Sequence, residues 1–361
     1  MVEFRAPGVY IEELPTQVRS IEGVPTSTAA FLGTAPRGLE PVLVTSYRDF
    51  EEAAGSNLAG FLPLAVRGFF ENGGRRCYVT LDSGKDPVEA GLTALEPYRF
   101  SILCCPDEHQ FSNAAPRLVA CAERRKDLIC ILQSPSPPVP PGSHSPPASS
   151  YAAYYYPWVV VNALNGQTQV TMPAGGHVAG AFARVDLERG VHQAPAGVRL
   201  AGVRSLSHEI DAAESESLVS RGVNLLRNLA EQGIVISSAR TTSTDPEFRY
   251  VNVRRLLIFI EQSIAGGLRW AVFEPNDSVL WLNVVRTVQN FLVNLWKTGA
   301  LVGTTADAAF FVRCDQTTMT QDDLDAGRLI VIVGVAPLRP AEFVLLRFTV
   351  QMSRQPCDPA T

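Results

Sequence analysis

The residues best suited to chemistry are two adjacent cysteines followed closely by a histidine. Cys104 and Cys105 precede a proline and two acids, and His109 comes four residues after Cys105. A thiolate beside a histidine can act as a nucleophile. Adjacent residues of a strand point to opposite faces, however, and no cation stands next to the pair to activate a thiol, so packing at a strand end is the stronger interpretation.

Two other motifs match known sites only in part. The loop GTAPRG at residues 33–38 lacks the Lys-Ser or Lys-Thr ending with which a phosphate-binding loop grips a nucleotide. The 5 histidines have no zinc-binding spacing, and the 7 cysteines form no C-x-x-C pair. We therefore predict no cofactor, no metal and no catalytic residue, and we expect reduced, mostly buried thiols.

An acidic run, TQDDLD at residues 320–325, has two interpretations. It lacks the glycine and the terminal glutamate of a calcium-binding loop. Thr320 with Asp323 instead fits a helix cap, with acids at the positive end of the helix dipole. The remaining functional interpretation is an acidic patch that faces another protein.

Three consecutive tyrosines form an aromatic cluster around Tyr155, with Trp158 close behind. Such rings can stack on sugars or bases. Because no Arg or Lys is interleaved with them, packing at the edge of a core is the stronger interpretation.

The composition is that of an ordinary globular protein. The chain has 361 residues, enough for about two domains, of which 46% are hydrophobic and 19% charged. It carries 31 basic and 36 acidic residues, so no overall positive field attracts nucleic acid or anionic lipid. Acids near the start argue against a signal peptide, and the apolar runs fall short of the roughly 18 residues that cross a bilayer. We expect a cytoplasmic origin, no nucleic-acid partner and no membrane insertion.

The elements that must position these residues follow from periodicity. Strand-like runs alternate with helical stretches, which predicts an α/β layer. The predicted strands cover residues 27–33, 41–45, 77–81, 102–105 and 128–132, and the predicted helices cover 49–54, 62–70 and 116–125. A segment with seven prolines, residues 134–150, predicts an exposed loop.

The C-terminal part reads as α+β. Asp245 is expected to cap a helix with Pro246 at its first position, and a diglycine at 266–267 ends it. A second amphipathic helix starts near Asp277 and stops at Gly299. Strand-like segments follow at 310–313, 329–335 and 343–351.

These patterns divide the chain into three parts. We expect an extended N-terminal arm at residues 1–25, a middle α/β domain at 26–235 and a C-terminal α+β domain at 236–361, with a last strand near 342–352. The alternative is that both terminal strands complete the sheet of their own domain.

Long blocks of the sequence resemble one family, the sheath subunit of contractile phage tails and of phage-tail-like injection particles. The blocks are APGVYIEE and TSTAAFLGTAPRG near the N-terminus, MPAGGHVAGAFARVDLERGVHQAPAG in the middle, and WAVFEPND, CDQTTMTQDDLDAGRLIVIVGVAP and PAEFVLLR towards the C-terminus. The match covers nearly the whole chain. The short length resembles the compact sheath subunits of extracellular injection particles.

The resemblance implies a two-domain subunit in which terminal arms complete a C-terminal α+β domain and an α/β domain is inserted. In this family the arms are donated to the sheets of neighbouring subunits and act as hinges during contraction. The matching arm residues are Val9, Tyr10, Ile11, Phe343, Val344, Leu345, Leu346, Arg347 and Phe348. The helix with Asp322, Asp323 and Asp325 is expected to face an inner tube.

The resemblance also implies the partners and the location. The chain would polymerise with itself in hexameric rings around an inner-tube protein and would meet baseplate and terminal cap proteins, with sister sheath subunits as further candidates. It would assemble in a bacterium as part of a phage tail or of a released tail-like particle. Two alternatives stay open: a soluble α/β enzyme using Cys104, His109 and the cluster around Tyr155, and a non-contractile tail or shell protein.

Overall fold

The computed structural model describes residues 20–55, 58–84, 87–137 and 139–340. The predicted arm residues Val9, Tyr10 and Ile11 lie outside this range, as do the strand residues 343–348. None of the helices in the described range combines the length and the apolar character that a bilayer crossing requires.

The described strands and helices alternate along most of the chain. The strands are β1 (Ala29–Thr34), β2 (Leu39–Val44), β3 (Cys77–Asp82), β4 (Ile102–Cys104), β5 (Ile129–Gln133), β6 (Ala152–Tyr156), β7 (Val159–Asn162), β8 (Gln169–Met172), β9 (Val198–Arg199), β10 (Val203–Leu206), β11 (Val223–Leu229), β12 (Gly233–Ile236), β13 (Phe310–Arg313) and β14 (Ile332–Val335). The helices are α1 (Tyr47–Ala54), α2 (Leu62–Glu71), α3 (Pro87–Ala94), α4 (Ala114–Arg125), α5 (Gly175–Arg189), α6 (Ala212–Ser220), α7 (Val251–Gly267), α8 (Ser278–Lys297), α9 (Ala306–Ala309) and α10 (Gln321–Asp325).

A central sheet organises the first two thirds of the chain. Its strand order is β2-β3-β1-β4-β5-β6-β11-β12-β9, and β3, β1, β4, β5, β6 and β11 run parallel. The antiparallel strands β2, β12 and β9 lie at the two edges. A second sheet, β10-β7-β8, packs beside the first. The predicted α/β layer is confirmed.

Strand β1 explains why the central sheet carries helices on both faces. Ala29 and Phe31 belong to a core shared with α1, α2 and α5, whereas Ala30 and Leu32 belong to a core shared with α3 and α4. Because strand side chains alternate between faces, an uninterrupted apolar run must bury both faces. The run AAFL therefore predicts the helix–sheet–helix layering that is observed.

Helices α2 and α5 approach each other through glycine. A Cβ atom on Gly176 would lie 2.3 Å from the carbonyl oxygen of Ala65, and one on Gly180 would lie 2.4 Å from the carbonyl oxygen of Phe69. Real Cβ atoms do not come so close to backbone atoms, so only glycine permits this separation of the two helices.

A third core lies in the C-terminal part, between α7, α8 and the antiparallel β13–β14 pair. The prediction for α8 is confirmed: Asp277 caps it by accepting hydrogen bonds from Val279 N at 3.0 Å and Leu280 N at 2.9 Å, and Gly299 follows its end with a left-handed backbone. Strand β14 starts at Ile332, three residues later than predicted.

The helix predicted from Asp245 is wrong at its start. Asp245 caps only a 3₁₀ turn at Pro246–Phe248, and α7 begins at Val251. Between them, Tyr250 adopts an extended backbone in an isolated bridge with Arg240. This pairing, between residues ten positions apart, overrides the local helical signal.

The proline-rich segment 134–150 is not simply an exposed loop. Ser134, Val139, His144 and Ser149 are buried, although most of their neighbours are exposed or half-buried. His144 Nδ1 lies 3.0 Å from the Tyr154 hydroxyl. The segment therefore closes one core of the sheet instead of standing in solvent.

The extended segment from Ser20 to Thr28 lies along α7. Ile21 packs against Gly267, Val24 N donates to the Ser263 hydroxyl at 3.1 Å, and Arg255 donates to the Thr26 carbonyl at 2.9 Å. The three helical partners follow each other at multiples of four residues and so share one face. This face holds the base of the predicted N-terminal arm.

Candidate functional site

The first candidate site is the crevice at the carboxyl ends of the parallel strands. In doubly wound sheets, ligands bind where the strand order reverses, which here is between β1 and β4. Asp107, just after β4, reaches the start of α2 and accepts hydrogen bonds from Phe61 N at 2.9 and 3.1 Å. A carboxylate of the chain itself thus occupies the place that an anionic ligand takes at a helix N-terminus.

Aromatic rings lie beside this carboxylate, and a cavity of about 370 Å³ lined in part by Glu108, His109 and Tyr154 stays open next to them. The His109 ring lies 5.6 Å from Phe61 and 5.1 Å from Trp158, centroid to centroid, and Phe61 and Trp158 are 5.5 Å apart. Burial lowers the pKa of His109, against the opposing field of Asp107. The His109 ring contacts Phe61 and Trp158 while the residue itself stays exposed.

The cysteines of the enzyme alternative are core residues. Cys104 and Cys105 are fully buried, and burial, with Glu108 nearby, raises both thiol pKa values well above the usual range. The Cys104 sulfur accepts a hydrogen bond from Gln133 Nε2 at 3.3 Å. Such thiols are poor nucleophiles because the thiolate is the reactive form.

Tyr155, the centre of the aromatic cluster, is also interior. Its ring packs against Phe182, and burial raises the pKa of its hydroxyl. Across the described ranges, no group of three or more His, Cys, Asp or Glu side chains is arranged to hold a metal ion. The residues of the enzyme alternative contribute to packing.

Glu108 is a buried acid that the sequence analysis missed. Its Oε1 accepts a hydrogen bond from Gln133 N at 2.6 Å, while Oε2 has no partner. Burial raises the pKa of Glu108 to about 8. Nothing in the run CCPDEH marks this acid as interior, because its burial depends on β5 lying alongside.

Glu108 should make the stability of the fold depend on pH. Below the usual glutamate pKa the group is neutral in both folded and unfolded chains. Between that value and its raised pKa of about 8, only the unfolded chain ionises, so stability falls as the pH rises. We expect Glu108→Gln to remove this loss and to be more stable than wild type at pH 8.5 by about 2 kcal/mol or more, measured by urea denaturation.

Glu52, which forms an exposed ion pair with Arg48, supplies the control for this measurement. Its side chain is 65% exposed, so Glu52→Gln should leave the pH profile of wild type unchanged. If the free energy of unfolding changes equally with pH in wild type and in Glu108→Gln between pH 5 and 8.5, the prediction is contradicted.

The second candidate site is the acidic helix α10. Thr320 and Asp323 form the expected capping box, and Asp323 also pairs with Arg328 at 2.8 Å. The Thr320 hydrogen bonds, with help from Arg328, lower the pKa of Asp323 to about 2. Asp325 accepts from Gln321 at 2.8 Å, and Asp322 is exposed. Of the three acids predicted to contact the tube, Asp323 is thus engaged within its own subunit, where it caps α10 and pairs with Arg328.

The third candidate site is the β13–β14 pair. Phe310 and Val312 face the third core, whereas Phe311 and Ile332 are 50% and 45% exposed. Over the length of the two strands, no third strand of the described chain pairs with either one. Unpaired strand edges offer backbone donors and acceptors to another extended segment.

Comparisons with known proteins agree with this architecture. The phage tail sheath protein central domain matches residues 83–242, and the phage tail sheath C-terminal domain matches residues 243–351. The tail sheath protein of Vibrio phage KVP40 is 26% identical over 181 residues, which cover 49% of this chain and 26% of that protein. The chain thus matches about a quarter of that relative's length.

Two solved structures cover nearly the whole chain. The helical sheath of the anti-feeding prophage (AFP) in its contracted state has a TM-score of 0.80 and 31% identity, over 96% of this chain and 99% of that chain. The PVC sheath complex of an extracellular contractile injection system, also contracted, has a TM-score of 0.81 and 29% identity, over 98% of this chain and 100% of that chain. The chain therefore belongs to the contractile tail sheath protein family, a family of structural proteins and not of enzymes.

Proposed function

We propose that this chain is the structural subunit of a contractile sheath, which polymerises in helical rings around an inner tube and shortens to drive the tube through a target envelope. The likeness to the AFP and PVC sheaths over nearly the full chain is the observation that carries the proposal.

Subunits join through strand addition at β13 and β14. The donated segments are the N-terminal arm with Val9, Tyr10 and Ile11, and the C-terminal strand residues 343–348. Main-chain hydrogen bonds supply the affinity, and alternate side chains enter pockets between neighbours. Because donor segment and acceptor edge differ, the contact is heterologous and builds an open helix instead of a closed dimer.

The described base of the arm supports this arrangement. Arg255 joins the segment at Thr26 to Asp186 on α5 as well as to α7, through hydrogen bonds of 2.6–2.9 Å. Force applied to the arm would therefore be transmitted to the C-terminal helices and, through α5, to the domain of the central sheet. Such an anchor suits subunits that rotate during contraction while staying connected.

The sheath would contact further partners at its ends and inside. The exposed acids Asp322 and Asp325 are the proposed contact with the inner tube, and Asp323 acts indirectly by capping their helix. The AFP baseplate structure, which is 6-fold symmetrised and whose matching chain is 31% identical, supports hexameric rings and a baseplate contact. Terminal cap proteins and sister sheath subunits are further partners, in a particle assembled in the cytoplasm and released from the cell.

Electron microscopy of the purified chain, beside a variant lacking residues 1–15, tests the proposal. We expect ribbed hollow tubes from the full chain at high concentration. The truncated chain should keep the same circular dichroism and melting temperature but form only discrete particles, because the donated strand is missing. Absence of tubes from the full chain, even when it is co-expressed with an inner-tube protein, would contradict the sheath function, whereas normal tubes from the truncated chain would contradict arm donation.

A further inference from the structure

The loop between α7 and α8 exposes more apolar surface than the fold requires. Phe273 is fully exposed and Val272 is 61% exposed, and Val279 and Leu282 on the first turns of α8 are 63% and 50% exposed. Single exposed apolar residues are ordinary on protein surfaces. A whole phenyl ring in solvent beside three further apolar side chains is an unusual concentration, of the kind that marks a contact with another protein.

The loop holds Phe273 in a defined place. A 3₁₀ turn at Arg269–Ala271 ends the preceding helix, and Asp277 caps the following one. Asn276 Oδ1 accepts a hydrogen bond from Trp281 Nε1 at 2.7 Å. Phe273 itself has a φ of 72°, a left-handed conformation that a phenylalanine rarely adopts. The fold gains no burial from this ring in return.

The loop is continuous with the acidic helix α10. Asn276 Nδ2 donates to the Arg328 carbonyl at 3.2 Å, which joins the loop to the residues that follow α10. The exposed acids of the loop and of α10 include Glu274, Asp322 and Asp325, and the exposed bases are Arg269 on the 3₁₀ turn and Arg328, which pairs with Asp323. Helix α10 belongs to the connection between β13 and β14 and to neither of the two strands.

We infer that Phe273 is the apolar anchor of the contact with the inner tube, inserted into an apolar recess with a basic rim on the tube protein. The inference rests on the proposed sheath function and extends its tube contact from the acids of α10 to the neighbouring loop. Two observations favour the tube over a second copy of this chain: the continuity with α10, which is the proposed tube contact, and the excess of the exposed acids Glu274, Asp322 and Asp325 over the exposed Arg269 and Arg328, which favours a basic partner. A few central side chains that enter well-packed, desolvated pockets carry most of the binding energy of an interface.

The test uses the full chain co-expressed with the inner-tube protein of the same particle. Phe273→Asn removes the ring, and asparagine tolerates the left-handed backbone, so the variant should keep the wild-type melting temperature. We expect the ratio of tube protein to sheath in purified particles to fall roughly tenfold or more. Asp322→Lys with Asp325→Lys should also lower the ratio, with Asp323 retained so that the helix stays capped.

Leu187→Ser is the matched control, because Leu187 is 46% exposed on α5, away from this loop. Its particles should contain tube protein at the wild-type ratio. A normal ratio in Phe273→Asn would overturn the inference. Loss of sheath tubes when Phe273→Asn is expressed alone would also overturn it, because the loop would then join subunits. If wild type forms no sheath even with the tube protein present, the proposed function fails and not the anchor specifically.

Discussion

Replacing Arg255 with methionine is expected to lower the free energy of unfolding by about 3–5 kcal/mol, because one partner of a buried ion pair is removed. Arg255 and Asp186 are 3% and 2% exposed, and the guanidinium donates to both carboxylate oxygens at 2.6 and 2.7 Å. Without it, Asp186 is left charged in the interior, and Thr26 loses a hydrogen bond. Urea denaturation at pH 8 measures the change.

Lower pH should reduce the deficit of Arg255→Met. Burial already raises the pKa of Asp186, and the guanidinium opposes that rise. In the variant, Asp186 can take up a proton and then carries no unpaired charge in the interior. The difference in the free energy of unfolding between variant and wild type should therefore become smaller as the pH falls towards the raised pKa. A deficit that grows on acidification would contradict this account.

Arg48→Met is the control for the ion pair. Arg48 and Glu52 are 86% and 65% exposed, at a distance of 2.9 Å, so their separation should cost no more than about 0.5 kcal/mol. If Arg48→Met and Arg255→Met lower the free energy of unfolding equally, burial does not determine how much the Arg255–Asp186 pair contributes to stability.

Replacing Gly176 with alanine is expected to destabilise the protein by about 3 kcal/mol or more, since α5 would be pushed away from α2. The added methyl would meet the carbonyl oxygen, Cα and carbonyl carbon of Ala65 at 2.3–2.6 Å. Backbone atoms of a packed helix cannot rotate aside as a side chain can. Thermal and urea denaturation should both show the loss.

Gly266→Ala is the matched substitution with the opposite expected sign. Gly266 lies in α7, and a Cβ there meets nothing within 4 Å. Alanine in an open helical position should stabilise by about 0.5–1 kcal/mol, because the unfolded chain loses conformational freedom. Equal effects at the two positions would show that helix propensity outweighs the close contact between α2 and α5.

Local signals predicted the elements well where the neighbouring residues decide them. The uninterrupted run AAFL gave β1, Asp277 gave the start of α8, and Thr320 with Asp323 gave the capping box of α10. Each of these depends on hydrogen bonds or packing periodicity within a few residues. Such features can be inferred without knowledge of the tertiary structure.

Tertiary contacts, which local patterns do not show, produced the failures. The bridge between Arg240 and Tyr250 delayed the start of α7, and the contact of His144 with Tyr154 drew a proline-rich loop into the core. The sequence likewise gave no sign that Glu108 would be interior or that Arg255 would reach Asp186, 69 positions away. The candidate contact acids were found by composition, but only the structure separates Asp323, which is bound within its helix, from Asp322.

The antiparallel course of residues 21–26 along α7 determines how the subunit would bear mechanical load. Five extended steps of about 3.3 Å and twelve helical steps of about 1.5 Å span similar lengths, so contacts from Ile21 with Gly267 to Thr26 with Arg255 lie side by side. Tension applied at Ser20 along the helix axis would load them in shear, all at once, whereas tension across the axis would peel them one after another. A sheath that pulls its neighbours along this axis would therefore use the joint in its stronger direction.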